Sequence, residues 1–223
     1  MARPSRNLVI GASGGIGSAV VTHLRQRGEA VTGLSRREDG LDILDMASID
    51  RALATVGGTF DRVIIATGAL MIDDTGPEKT LRVLDPDVLQ RHFAVNATGP
   101  AMVLKRVLHL LPRDRRAVIA ILSARVGSIG DNQLGGWYSY RAAKAALNQL
   151  VHTAAIELAR THPKAICVTL HPGTVETSFT ANFAGYAKST PAEAAANLIR
   201  VTDGLQPGDS GGFFDWAGRP VPW

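Results

Sequence analysis

Short apolar runs alternate with longer stretches of helical periodicity along almost the whole chain. The runs at Leu8–Ile10, Ala30–Leu34, Leu41–Ile43, Val63–Ala66, Ala117–Leu122, Ala165–Leu170 and Gly212–Asp215 have strand length and little polar interruption. That is the pattern of strands buried on both faces of a parallel sheet. Between them, apolar spacing predicts helices near 15–27, 46–56, 86–111, 137–161 and 191–205. The alternation predicts an α/β, doubly wound fold of about seven parallel strands with helices on both faces. No repeat, low-complexity tract or linker-like break divides the chain, so residues 1–223 read as one domain. In such a fold the ligand crevice opens at the carboxyl ends of the strands, and the chemistry is to be sought there.

Composition removes several classes of function. A chain of 223 residues buries roughly 70% of its unfolded surface, enough for a core without staples. A single cysteine, Cys167, excludes a disulfide framework and a cysteine-based metal site, and no metal is expected. Its apolar surroundings, Ala165 to Val168, read as a buried small hydrophobe. The N-terminal residues run straight into a strand pattern and lack a signal-peptide core. No apolar stretch approaches the roughly 18–20 residues of a membrane span, so a soluble, cytoplasmic protein is expected. Lysine and arginine exceed aspartate and glutamate by 24 to 20, a formal charge of +4. The basic residues are scattered and not interleaved with aromatics, so nucleic acid is not the expected partner. An anionic cofactor accounts for the excess. The densest group, Arg113 to Arg116, reads as a solvated turn between a helix and a strand.

The first strand ends in Gly11-Ala12-Ser13-Gly14-Gly15-Ile16-Gly17 and leads directly into a helix. Glycines at 11, 15 and 17 permit a sharp turn, close ligand approach and tight helix packing. The helix start offers free N–H groups and a partial positive charge to a pyrophosphate. Placed after a first strand, the loop reads as the dinucleotide site of a Rossmann fold. The second strand runs into Ser35-Arg36-Arg37. NAD users commonly place an acid there to accept from the ribose 2′-hydroxyl. Here nothing repels a 2′-phosphate, and Arg36, with Arg37 beside it, can pair with one. NADP(H) is therefore the expected cofactor; solvated loop arginines are the plainer alternative.

Tyr140-Arg141-Ala142-Ala143-Lys144 lies in the fourth helical stretch. Residues four apart share a helix face, so phenol and ammonium project into the same space. A tyrosine normally titrates near 10, and a nearby cation favours the phenolate, which makes Tyr140 a general acid/base. The Gly-x-x-x-Gly-x-Gly loop and this Tyr-x-x-x-Lys together resemble the short-chain dehydrogenase/reductase family, and the resemblance runs along almost the whole chain. The strings Ser123 to Ile129 and Gly135 to Arg141, with Phe213 to Gly218 and Pro222-Trp223, look similar to the C-factor-like, sniffer-like branch. Its members are described as carbonyl reductases or as cell–cell signalling proteins.

The resemblance implies an oxidoreductase that transfers hydride between NADP(H) and a small carbonyl or alcohol substrate. Tyr140 would be the acid/base, Lys144 its activator and Asn96 part of a proton relay. Pro100 removes the donor that would bond the Asn96 carbonyl, so a disrupted helical turn is expected there; a plain helix break at Gly99-Pro100 is the alternative. The expected serine falls awkwardly: counting back three from Gly127 gives Ala124, leaving Ser123, Ser128 or no serine at all. Ser123 is the candidate retained. Gly11, Ser13, Gly15, Ile16, Gly17, Ser35, Arg36, Asp42, Ile43, Ala66, Thr67, Gly68, Pro172, Gly173, Val175 and Thr177 are expected to hold the cofactor, together with Tyr140 and Lys144. Asp45 is expected to precede a helix, and His171 to be structural. Residues 178–189 resemble a substrate lid, with Phe179, Phe183 and Tyr186 facing Trp137 across a largely apolar pocket. The two long helical stretches suggest a homodimer or homotetramer. The competing reading is a weakly or non-catalytic NADP(H)-binding signalling protein of the same fold.

Overall fold

The computed structural model describes residues 4–73, 75–180 and 187–223. Among them six strands form one parallel sheet: β1 (Arg6–Ile10), β2 (Ala30–Leu34), β3 (Arg62–Ile65), β4 (Ala117–Leu122), β5 (Ala165–His171) and β6 (Phe213–Asp215). Their order is β2-β1-β3-β4-β5-β6. The chain steps outward from β1 to β2 and then returns to the other side of β1. The carboxyl ends of β1 and β3 therefore flank the topological switch point, where a ligand crevice opens.

Side chains alternate between two cores, as a two-faced sheet demands. Leu8, Ile10, Val63, Ile65, Ile119 and Ile121 face α3 (Met46–Ala54), α5 (Gly99–Val107) and α6 (Tyr138–Leu158). Val9, Ile64, Val118, Ala120, Ile166 and Val168 face α1 (Gly15–Gln26) and α7 (Pro191–Gly204). Every side chain of β4 is buried, which is why its sequence carries no polar residue. Thr190 and Glu193 form a reciprocal capping box that starts α7. No described helix is long and apolar enough to cross a membrane.

Three expectations need correction. The run Leu41–Ile43 is not a strand, which leaves six strands where about seven were expected. Only six residues, Ser35 to Gly40 with the four-residue α2 (Arg36–Asp39) among them, separate it from β2, far short of the dozen or so residues that a parallel crossover needs. Its backbone bonds locally instead: Asp42 N–H donates to Gly40 O and Ser48 Oγ, and the Ser48 hydroxyl donates to Asp42 O. The expected helix over 86–111 is divided into α4 (Pro86–Phe93), a π-helical turn (Ala94–Thr98), α5 and a 3₁₀ turn (Leu108–Leu110). The turn at Arg113 to Arg116 is anchored as well as solvated, since Arg115 pairs with Asp61 and Arg116 donates to the carbonyls of Thr202 and Leu205.

Candidate active site

The carboxyl ends of the strands enclose two cavities, of about 260 and 660 Å³, that share Gly14, Ala66, Thr67 and Gly68 as a common wall. Gly14 caps α1, whose first turn carries no acidic residue, so its positive end faces the crevice uncompensated. The loop is as tight as its glycines imply: a Cβ on Gly17 would lie 2.1 Å from Gly11 O. Gly15, Ile16, Ser123, Tyr140, Lys144, Pro172, Gly173, Val175 and Thr177 line the smaller cavity. Gly11, Ser13, Arg36, Asp42 and Ile43 line the larger one, as do Arg37 and Arg91. Three expected residues line neither: Gly17, Ser35 and Asn96. Gly17 packs against the loop, and Ser35 is buried with its hydroxyl accepting from Glu38 N–H to cap α2. The Thr67 hydroxyl, in the shared wall, is buried with no hydrogen-bond partner among the described residues.

Tyr140 and Lys144 occupy successive turns of α6 and are both buried. The Lys144 ammonium lies 5.9 Å from the centre of the Tyr140 ring and donates to Leu122 O at 3.0 Å. Three rings meet the phenol edge-on: His92 at 6.0 Å, Phe179 at 6.2 Å and Trp137 at 6.3 Å. In this enclosure burial pushes the Tyr140 pKa above its usual value and pushes Lys144 down to about 7. The expected lowering of the tyrosine by the lysine is thus absent in the chain alone, because desolvation outweighs an ammonium committed to a carbonyl.

Asn96 lies in the π-helical turn, fully buried. Gly99 N–H bonds back five residues to Ala94 O, the widened turn that follows once Pro100 withholds a donor. The Asn96 carboxamide pairs with both backbone groups of Ala69, accepting from its N–H at 3.0 Å and donating to its carbonyl at 2.8 Å. Asn96 thus reaches the loop that follows β3, beside Gly68.

Ser123 lines the smaller cavity, and its hydroxyl donates to Asn148 Oδ1 at 2.7 Å. The buried Ser128 hydroxyl accepts from Asp131 N–H within its own loop. Asp45 caps α3 by accepting from Ala47 N–H, its expected plain role. His171 also lines the smaller cavity, with its pKa pushed down to about 4 by burial and by Arg125. The buried Cys167 thiol is pushed up to about 12, as for an inert core residue. Of the lid segment, Ser178–Thr180 form a 3₁₀ turn, and Ser189 bonds Thr174 and Glu176; Phe183 and Tyr186 lie outside the described residues.

Two residues at the site carry no sequence motif. The buried Glu78 carboxylate accepts from both the N–H and the hydroxyl of Ser139, clamping the first turn of α6 one residue before Tyr140. Burial opposes its charge, yet those hydrogen bonds hold its pKa below the usual carboxylate value. His92 packs between Asn96 and Tyr140. Its position four residues before Asn96 was the available signal, since such residues share a helix face. Glu78, in an aperiodic loop, gave none.

The family description "short chain dehydrogenase" matches residues 6–186. The 1-hydroxy-2-glutathionyl-2-methyl-3-butene dehydrogenase of Rhodococcus sp. (strain AD45) is 33% identical over 233 residues, covering 97% of this chain and 98% of that protein. The C-signal protein of Myxococcus xanthus is 38% identical over 137 residues, covering 60% of this chain and 78% of that one. A putative short-chain dehydrogenase/reductase from Burkholderia multivorans with bound NADP superimposes with a TM-score of 0.82 at 26% identity, over 99% of this chain and 100% of that one. The carbonyl reductase Sniffer of D. melanogaster, at 21% identity, shares the fold with a TM-score of 0.84, over 99% of this chain and 100% of that one.

Proposed function

Because the chain belongs to the short-chain dehydrogenase family of oxidoreductases, we propose that it interconverts a carbonyl and an alcohol with NADP(H), Tyr140 acting as general acid/base. The observation that carries this reading is convergence: Tyr140 and Lys144 wall a cavity that continues directly into a glycine-lined crevice. The crevice fits an extended anionic dinucleotide. A glycine-capped helix start meets it at the shared wall, Arg36 and Arg37 line its far part, and the Thr67 hydroxyl there lacks a partner. The bound nicotinamide would supply or accept the hydride.

The chain's own residues handle the proton. Burial keeps Tyr140 protonated, so its Oη can donate to a carbonyl oxygen as that oxygen gains negative charge, and can take the proton back in alcohol oxidation. Lys144 titrates near neutrality, and negative charge entering the crevice favours its ammonium form, which in turn lowers the cost of a phenolate. Asn96, braced on Ala69, belongs to the relay that returns protons to Lys144. Ser123 we read as a brace between β4 and α6, since its proton is committed to Asn148. Phe179 lines the smaller cavity and, with Trp137, meets the Tyr140 ring, which gives the substrate side a largely apolar wall. Leu150 and Ile156, exposed on α6, fit a homodimer or homotetramer surface.

The name of the Rhodococcus relative describes an alcohol dehydrogenation, the oxidising direction of the same chemistry. A purely regulatory protein has no need for Tyr140 and Lys144 to wall the cavity, nor for Asn96 to close with Lys144 on Gly68 behind them. The test is a panel of aldehydes, ketones and quinones, each followed by nicotinamide absorbance with NADPH and with NADH. The reading expects NADPH-dependent consumption with at least one substrate class. Nucleotide binding without consumption of any would favour the regulatory alternative.

A further inference from the structure

We propose that His92 is a positioning residue that holds the Asn96 carboxamide in its working orientation, an inference that rests on the place given above to Asn96. The carboxamide has one acceptor oxygen and two N–H donors to satisfy. Its oxygen accepts from Ala69 N–H, and one of its two N–H groups donates to Ala69 O. Those two backbone groups decide which end of the amide is oxygen, because a reversed amide would set donor against donor and acceptor against acceptor. The second N–H of Asn96 is also buried and needs an acceptor. It faces His92 Nδ1 at 3.2 Å.

An amide nitrogen cannot accept, so Nδ1 must present its lone pair and the imidazole proton must sit on Nε2. His92 is fully buried, and its Nε2 has no partner among the described residues. The ring is therefore fixed by what it gives Asn96 and by its edge contact with the Tyr140 ring at 6.0 Å. Burial favours the neutral imidazole that this arrangement requires, against the opposing pull of the Glu78 carboxylate. With the acceptor removed, the buried Asn96 N–H would be unpaired. The amide would gain by turning toward any other acceptor, and its grip on Ala69 would loosen.

Packing and acceptance can be separated. His92→Phe keeps a ring against Tyr140 and removes the acceptor. His92→Asn removes the ring and keeps an acceptor, its Oδ1 standing where Nδ1 stood. The first readout needs no turnover: hydrogen exchange of the Ala69 amide, which donates to Asn96. His92→Phe should speed that exchange by about five- to tenfold, the worth of one buried hydrogen bond, while amides of β3 and β4 keep their wild-type rates. His92→Asn should restore slow exchange. The second readout is carbonyl reduction with NADPH: His92→Phe should lower kcat by a similar factor at unchanged KM for NADPH, and His92→Asn should recover most of it. If His92→Phe does not fold, His92→Leu replaces it with the same expectation. Wild-type Ala69 exchange in His92→Phe or His92→Leu overturns the proposal, as does His92→Asn exchanging as fast as either. Turnover that survives Tyr140→Phe would remove the proposed reaction and leave the exchange data to decide the role of His92.

Discussion

Asn96 and Lys144, carried by different helices, close on the same point: a methyl group at Gly68 would lie 3.0 Å from Asn96 Oδ1 and 3.4 Å from Lys144 Nζ. The backbone there, with φ of 149°, also disfavours a side chain. Gly68→Ala should therefore displace the relay and the activating lysine together. We expect kcat to fall by about tenfold or more, and stability to fall by about 1–3 kcal/mol. Steady-state kinetics and thermal unfolding check this, and an unchanged kcat would show that the convergence has no bearing on the reaction.

Lys144 gives a pH signature. Burial lowers its pKa from 10.5 to about 7 in the folded chain. Between those values the unfolded chain holds a proton that the folded chain does not, so this group makes stability rise with pH through that window. Below pH 7 the penalty for burying the cation is complete. Without nucleotide, Lys144→Met should therefore melt above the wild type at pH 6, with the advantage shrinking toward pH 9. A melting difference independent of pH would contradict the burial argument.

Arg36 and Arg37 line the larger cavity beside Asp42 and Ile43. If Arg36 pairs with a 2′-phosphate, Arg36→Asp should lower kcat/KM for NADPH by about ten- to a hundredfold, the worth of one charge-assisted hydrogen bond. The value for NADH should hold or rise. Equal losses with both cofactors would place Arg36 outside the recognition of that phosphate.

The Ser123 hydroxyl donates to Asn148 Oδ1, and both residues are buried. Ser123→Ala leaves that oxygen without its donor, so stability should fall by about 1–3 kcal/mol while kcat stays within about threefold of wild type. A hundredfold loss of kcat with unchanged stability would return Ser123 to the reacting centre.

Much of this architecture is legible in the chain. The unbroken apolar run of β4 announces a strand buried on both faces, and the apolar spacing over 191–205 announces α7. Pro100 foretells the disturbed turn around Asn96, though not that it widens into a π-helix. Leu41-Asp42-Ile43 misleads because two apolar residues flanking a polar one match strand alternation, while the six residues from Ser35 to Gly40 cannot carry a crossover. Ser35 misleads for a different reason. Its hydroxyl caps α2 through Glu38 N–H, and Ser35-Arg36-Arg37-Glu38 carries the spacing of a capping box. Glu78 stays hidden because its partner, Ser139, is chosen by how a loop packs on α6, whereas His92 stands four residues before Asn96 and only the helical spacing pointed to it. Likewise the pKa of Tyr140 follows from enclosure by three rings, which no spacing of tyrosine and lysine reveals.

The central claim is that the Tyr140 phenol moves the proton in a nicotinamide-dependent carbonyl–alcohol reaction. Tyr140→Phe deletes one oxygen and keeps the ring among His92, Trp137 and Phe179. NADPH consumption with the best carbonyl substrate should fall by about a hundredfold or more, while NADPH affinity stays close to wild type. A variant that binds NADPH equally well and turns over at the wild-type rate would contradict the account.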